Sequence, residues 1–192
     1  MLTVCPVIKP PTPQRTVRLL GLIGLLVPGL LMLAACSPAF NWREVRPEKS
    51  RLSLLLPCKP DKAQKIVPLG GAPTTLFMLG CDAGGATFAV ALADLGDAAK
   101  AAPVLAQWQN LTLANMKAAP ASREALPLKL AGATPQAPPT LVKALGQRAD
   151  GSAVSGQAAY FVQGSQVFQV VVYAATIPPE VAETFFSSLK LE

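Results

Sequence analysis

Residues 19–35 form one uncharged run, and beyond them apolar residues return in shorter groups divided by proline, glycine and acidic residues. Residues 52–56 read as a compact apolar strand stopped by Pro57, and 41–45 can form another, with a turn at 47–50 between them. Pro57 and Pro60 lack the donors of a ladder, so 57–61 reads as a turn that presents Cys58. Strands follow at 64–69 and 74–81, separated by Gly70-Gly71-Ala72-Pro73. After a tight connection at 82–85, Phe88, Val90 and Leu92 alternate with Thr87, Ala89 and Ala91. This is the pattern of a half-buried antiparallel strand over 86–92 with its larger side chains inward.

Near Ala98 the period changes. Val104, Trp108, Leu111 and Asn115 recur at helical spacing, which predicts a helix over 104–116 with Trp108 as its central packing residue. Pro103 suits the first turn, where a missing N–H costs little, and Asp94 and Asp97 suit a cap. A strand is expected at 126–130, a proline-rich loop at 132–140 and a polar loop at 147–157; residues 141–146 fit either a short helical turn or an edge strand. The clearest pair is 158–163 with 166–174, joined by Gly164-Ser165 as a tight hairpin turn. Both faces of 166–174 are nearly apolar, which predicts a central strand covered on both sides, with an outer face that serves as a contact surface as the alternative. Pro178-Pro179 open a final helix over 180–190, with Val181, Phe185 and Leu189 inward and Lys190 in the last turn, where the helix dipole favours a cation. Together these elements predict an α+β fold, an antiparallel sheet of five to seven strands with a middle helix and a C-terminal helix packed on one side of it.

The uncharged run follows Lys9, Arg15 and Arg18 and ends in Leu33-Ala34-Ala35-Cys36. A basic segment, an apolar segment and a small-residue exit are the layout of a secretory signal. With cysteine directly after the two alanines, the stretch resembles a bacterial lipoprotein signal. That resemblance implies removal of 1–35, lipidation of Cys36 as the first mature residue, a tether at 36–39 and a single domain over 40–192. Membrane lipid then becomes a partner through acylated Cys36. Ser37, in place of an aspartate, implies the periplasmic face of the outer membrane, with an inner-membrane anchor on the periplasmic side as the alternative. A run of about 17 residues also reaches the lower limit for a membrane span, so an uncleaved anchor over 19–35 is the rival reading.

Removing residues 1–35 leaves 157 of 192, enough for one domain with a substantial core. It also takes Lys9, Arg15 and Arg18 from seventeen basic residues, leaving fourteen against eleven acids and a net charge of +3. No segment combines clustered arginine with aromatics, so a nucleic-acid partner is not expected. Cys5 falls in the removed segment and Cys36 is the lipidation site, which leaves Cys58 and Cys81 as a pair in an oxidising compartment. A Cys58–Cys81 disulfide is expected, with two separate buried thiols or a metal pair as alternatives. The absence of histidine and the wide spacing weigh against metal.

The same absence removes histidine-dependent nucleophile systems. Gly70-Gly71 and Gly84-Gly85 lack phosphate-loop spacing and read as turns. Asp61 and Asp82 are the one carboxylate pair that could be nominated, and surface solvation explains them better. No cofactor is expected. An early strand ending in Leu-Leu-Pro, a meander, a helix, a strand pair and a terminal helix ending in Phe-Phe-Ser-Ser-Leu make residues 51–190 resemble the PsbP-like fold. The chain also resembles an uncharacterised group of proteobacterial envelope lipoproteins. PsbP-like domains mostly serve as assembly or accessory modules, and the resemblance carries over no catalytic residue. It implies a non-enzymatic accessory or protein-interaction module with an envelope protein as partner. The alternative is a binder of a small apolar ligand or lipid, using a groove between helix and sheet around Trp108, Phe161 and Phe168.

Overall fold

The alternation over 86–92 and 166–174 belongs to two strands that lie side by side in the middle of a seven-stranded antiparallel sheet. The structure, a computed structural model, describes residues 39–192. The signal-like segment 1–35, Cys36 and most of the expected tether lie outside the described residues. In chain order the elements are β1 (Arg43–Val45), β2 (Leu52–Leu56), β3 (Asp61–Leu69), β4 (Ala72–Ala83), β5 (Ala86–Asp94) and α1 (Ala98–Asn115). After a single 3-10 turn at Pro120–Ser122 come β6 (Arg123–Pro127), β7 (Thr140–Gln147), β8 (Ala153–Gln163), β9 (Gln166–Ala174), α2 (Pro179–Ser187) and β10 (Lys190–Leu191). The large sheet runs β3-β4-β5-β9-β8-β7-β6, and a small sheet runs β1-β2-β10.

The fold is therefore α+β, with the two cores set by the parity of the strands. On one face, Phe88, Val90 and Leu92 of β5 and Phe168, Val170 and Val172 of β9 meet the leucines of β2 and the phenylalanines of α2. Leu52, Leu54 and Leu56 are at most 1% exposed there. On the other face, Tyr160 and Val162 of β8 and Val167 and Val171 of β9 meet Ala101, Val104, Leu105 and Trp108 of α1. The helices thus cover opposite faces, which corrects the expectation that they share one side. Helical periodicity marks an apolar stripe but carries no information about which face of a doubly apolar sheet the stripe will choose. β9, apolar on both faces, needs a cover on each.

Several boundaries move for identifiable reasons. α1 begins at Ala98, capped by the Asp97 side chain, which accepts a hydrogen bond from the Ala99 N–H. Pro103 consequently sits inside the helix rather than in its first turn. β7 is an interior strand between β6 and β8, neither a helical turn nor an edge. Strand β6 spans Arg123–Pro127 rather than 126–130, and β8 begins at Ala153, inside the expected polar loop. α2 stops at Ser187, because the Ser188 hydroxyl donates to the Phe185 carbonyl and accepts the Leu55 N–H from β2. That capture releases the chain to form β10, so Lys190 lies in a strand and not in the last helical turn.

Cys58 and Cys81 are disulfide-bonded with their Cα atoms 6.0 Å apart, as the cysteine pair predicts. The bridge joins the turn before β3 to β4. Among the described residues, no helix is long and apolar enough to cross a membrane.

Candidate functional site

The odd-numbered residues of β9 face α1, and among Val167, Gln169, Val171 and Tyr173 the polar amide of Gln169 falls beneath the helix. Gln169 is 8% exposed, so its amide must find partners. Its Nε2 donates to Tyr160 Oη on β8 and to Thr112 Oγ1 on α1, both at 2.9 Å. Thr112 Oγ1 in turn donates to the Trp108 carbonyl one helical turn earlier, at 3.0 Å. Tyr160 and Gln169 are directly opposite in the β8–β9 register. This chain of contacts ties the second half of α1 to the centre of the sheet.

Beside that network the helix end and the sheet leave a cleft of about 450 Å³, lined by Trp108, Thr112, Asn115, Arg148, Gln169 and Tyr173 among others. Two glycines pack against Met116, one of its lining residues. A β-carbon at Gly156 of β8 would lie 3.0 Å from both Met116 Sδ and Tyr173 Cε1, so only glycine lets those side chains meet over the strand. Gly146 of β7 is backed by the Met116 main chain, whose carbonyl accepts the Gln147 N–H at 2.7 Å.

Burial pushes the Tyr173 phenol up to about 12, helped by neighbouring Tyr160, and Tyr160 is itself raised by burial. The carboxylates move the other way. Asp94 is lowered mainly by the Ser165 hydroxyl, which donates to it, and by the Gly96 N–H. Asp150 is lowered by Ser152, Glu48 by Lys62 and Glu192 by Arg46. These groups are held ionised, as surface anions and turn caps are.

Two further depressions lie on the opposite face. One, of about 510 Å³, runs between α2 and β7 over Leu128, Leu141, Ile177 and Phe186, with Lys129 and Lys143 beside it. The other, of about 150 Å³, lies near β3 over Phe77 and Leu92.

The structure does not bring Trp108, Phe161 and Phe168 together. Trp108 faces β8 and β9 from α1 and lines the cleft, whereas Phe161 and Phe168 are fully buried on the α2 face. The two phenylalanine rings stack on each other at 4.8 Å between centroids, and their residues are opposite in the β8–β9 register. The sheet itself separates them from the tryptophan, so the expected apolar groove around all three does not exist. What the sequence reading missed is the polar side of the cleft: Thr112, Asn115, Arg148, Gln169 and Tyr173. The available signal was Gln169, an amide in the middle of a strand whose other residues after Gln166 are Val, Phe, Tyr and Ala. Asp61 and Asp82 are both exposed, and Asp82 accepts the Thr87 hydroxyl at 2.6 Å. Among the described residues, no three or more His, Cys, Asp or Glu side chains gather to hold a metal ion. Cys36 lies outside the described residues.

No protein-family model matches the sequence, and no curated protein matches it. Among solved structures, the chain is similar to a protein of unknown function from Pseudomonas aeruginosa, described as a candidate regulator. The two are 14% identical with a TM-score of 0.36, over 73% of this chain and 85% of the other. A likeness at that score carries neither a fold assignment nor a function across.

Proposed function

We propose that this chain is a lipid-anchored protein of the bacterial cell envelope that faces the periplasm and binds a partner protein without catalysing a reaction. The observation that carries the reading is β3. It is an edge of the large sheet, and residues 61–66 are exposed without a break. Ile66, 70% exposed, stands among them. One side of β3 pairs with β4 throughout its length, and its other side has no strand among the described residues. A free edge of this kind accepts an added strand from another protein. Lys65 and Lys62, the latter paired with Glu48 at 2.6 Å, put charges on this edge and Pro68 withholds a donor there, features that discourage pairing with arbitrary strands.

Compartment and chemistry agree with this reading. The Cys58–Cys81 disulfide suits an oxidising space, and Leu33-Ala34-Ala35-Cys36 supplies the acylation site, with Ser37 favouring the outer membrane. The carboxylates whose proton affinity departs from normal are held ionised, the wrong direction for a general acid. Likeness to envelope lipoproteins and to PsbP-like accessory domains points the same way.

A second reading, a carrier of an apolar ligand or lipid, is favoured by the groove between α2 and β7, whose apolar floor has two lysines beside it. A photoreactive residue in place of Ile66, with another in place of Lys129 as the comparison, separates the two in intact envelopes. The partner reading expects a discrete protein adduct from position 66. Lipid adducts from position 129, with none of protein from position 66, overturn it in favour of the carrier.

A further inference from the structure

We infer that the cleft beneath the second half of α1 binds a sugar, a neutral polyhydroxylated ligand of one or two rings. Trp108 Nε1, Tyr173 Oη and Gln169 Oε1 have no hydrogen-bond partner among the described residues. Yet no buried side-chain nitrogen or oxygen among those residues lacks a partner. These three atoms therefore touch solvent, and they belong to side chains that line one cleft. Trp108 and Gln169 are otherwise more than nine-tenths buried, so their free polar atoms are presented by side chains already fixed in place.

The chemistry of that set is specific. An indole N–H only donates, a glutamine carbonyl only accepts, and a phenol does either. Asn115 and Gln147 add amides that can do both. Hydroxyl groups, which donate and accept at once, complement such a mixture better than an anion or a cation would. No carboxylate lines the cleft, and its one formal charge is Arg148 in the β7–β8 loop, so an ammonium ligand has no counter-ion. Tyr173, only partly buried, also offers apolar ring surface beside its hydroxyl, the combination that suits the C–H faces of a sugar ring.

Preorganisation strengthens the assignment. The Gln169 amide is held by two donations from its Nε2, to Thr112 and to Tyr160, so the group needs no further ordering on binding. The cleft, at about 450 Å³, lies within the usual range for small-ligand sites. This site lies on the α1 face and does not depend on what pairs with β3.

The test uses the purified full chain and follows its two tryptophan indole N–H signals by NMR, during titration with cellobiose, maltose and N,N′-diacetylchitobiose. At least one disaccharide is expected to shift the Trp108 signal saturably while leaving Trp42 unmoved. Tyr173→Phe removes a hydroxyl with no partner among the described residues and leaves the packing intact, so the variant folds; it is expected to weaken binding by about tenfold. Asn115→Ala, at the solvent side of the cleft, is expected to weaken it less. Absence of saturation by all three sugars up to about 50 mM, or equal affinity in wild type and Tyr173→Phe, overturns the assignment.

Discussion

Gly146 of β7 lies against the main-chain carbonyl of Met116, the residue that closes α1, so closely that the two segments leave no room for a β-carbon. The next N–H, that of Gln147, donates to this carbonyl at 2.7 Å. Gly146→Ala must push the helix end off the sheet. We expect a loss of about 1–3 kcal/mol, the usual cost of overpacking, seen as a lower urea midpoint. An unchanged midpoint would show that the helix end yields freely, and that it does not fix the cleft.

Both tyrosines of the chain, Tyr160 and Tyr173, are pushed upward by burial, Tyr173 to about 12. A raised folded value means that the stabilising contribution is complete below the unfolded value near 10. It is then lost as pH climbs toward 12, where the unfolded chain has released the proton and the folded one has not. Tyrosinate absorbance should therefore emerge together with alkaline unfolding. Tyr173→Phe should flatten the loss of melting temperature between about pH 10 and 12. Reversible ionisation of both phenols near pH 10 in the folded protein would contradict this account.

The Cys58–Cys81 bridge spans 23 positions of sequence. On the loop-entropy view its removal costs about 3 kcal/mol. The double variant Cys58→Ser/Cys81→Ser should melt well below the wild type, and dithiothreitol should lower the wild type to the same point. A melting temperature insensitive to reductant would remove the bridge from the stability of the fold.

Pro103 interrupts α1 at an exposed position and withholds the N–H that the Ala99 carbonyl would otherwise accept. Pro103→Ala restores that bond. Part of the gain is offset by a freer unfolded chain, so we expect stabilisation of about 1–2 kcal/mol, read as a higher melting temperature. A lower one would mean that the proline ring packs to advantage.

Acylation at Cys36 is checked by mass spectrometry of the mature N-terminus. The expected species begins at Cys36 and carries diacylglycerol, and Cys36→Ser should abolish acylation and leave the unprocessed precursor. If the wild-type chain instead keeps residues 1–35 and carries no acyl group, residues 19–35 act as an uncleaved anchor.

How much of this architecture could be read from the chain depended on whether the information was local. β2 and β9 have the bounds their patterns predict, because Pro57 and the Gly164-Ser165 turn mark them. Gly164, at φ +61°, suits that turn for lack of a side chain. The disulfide followed from counting cysteines once Cys36 was set apart. Information about faces was missing. The parity of Phe161 and Phe168 was visible, but nothing local said that α1, and so Trp108, would cover the other parity. β7 was ambiguous because its edge, β6, joins it only through pairing that the sequence does not advertise. The end of α2 was missed because Ser188 is bound by Leu55, which lies far from it in the chain.

That last contact belongs to a wider pattern. β2 lies between β1, its near neighbour in sequence, and β10, made of Lys190 and Leu191. One flank of this early strand therefore stays bare until residues 190–191 arrive, and Arg46 waits as long for Glu192. In a chain delivered N-terminus first, the small sheet cannot close before these residues are present. Contacts of such long separation slow folding, so β2 gains its second neighbour only late.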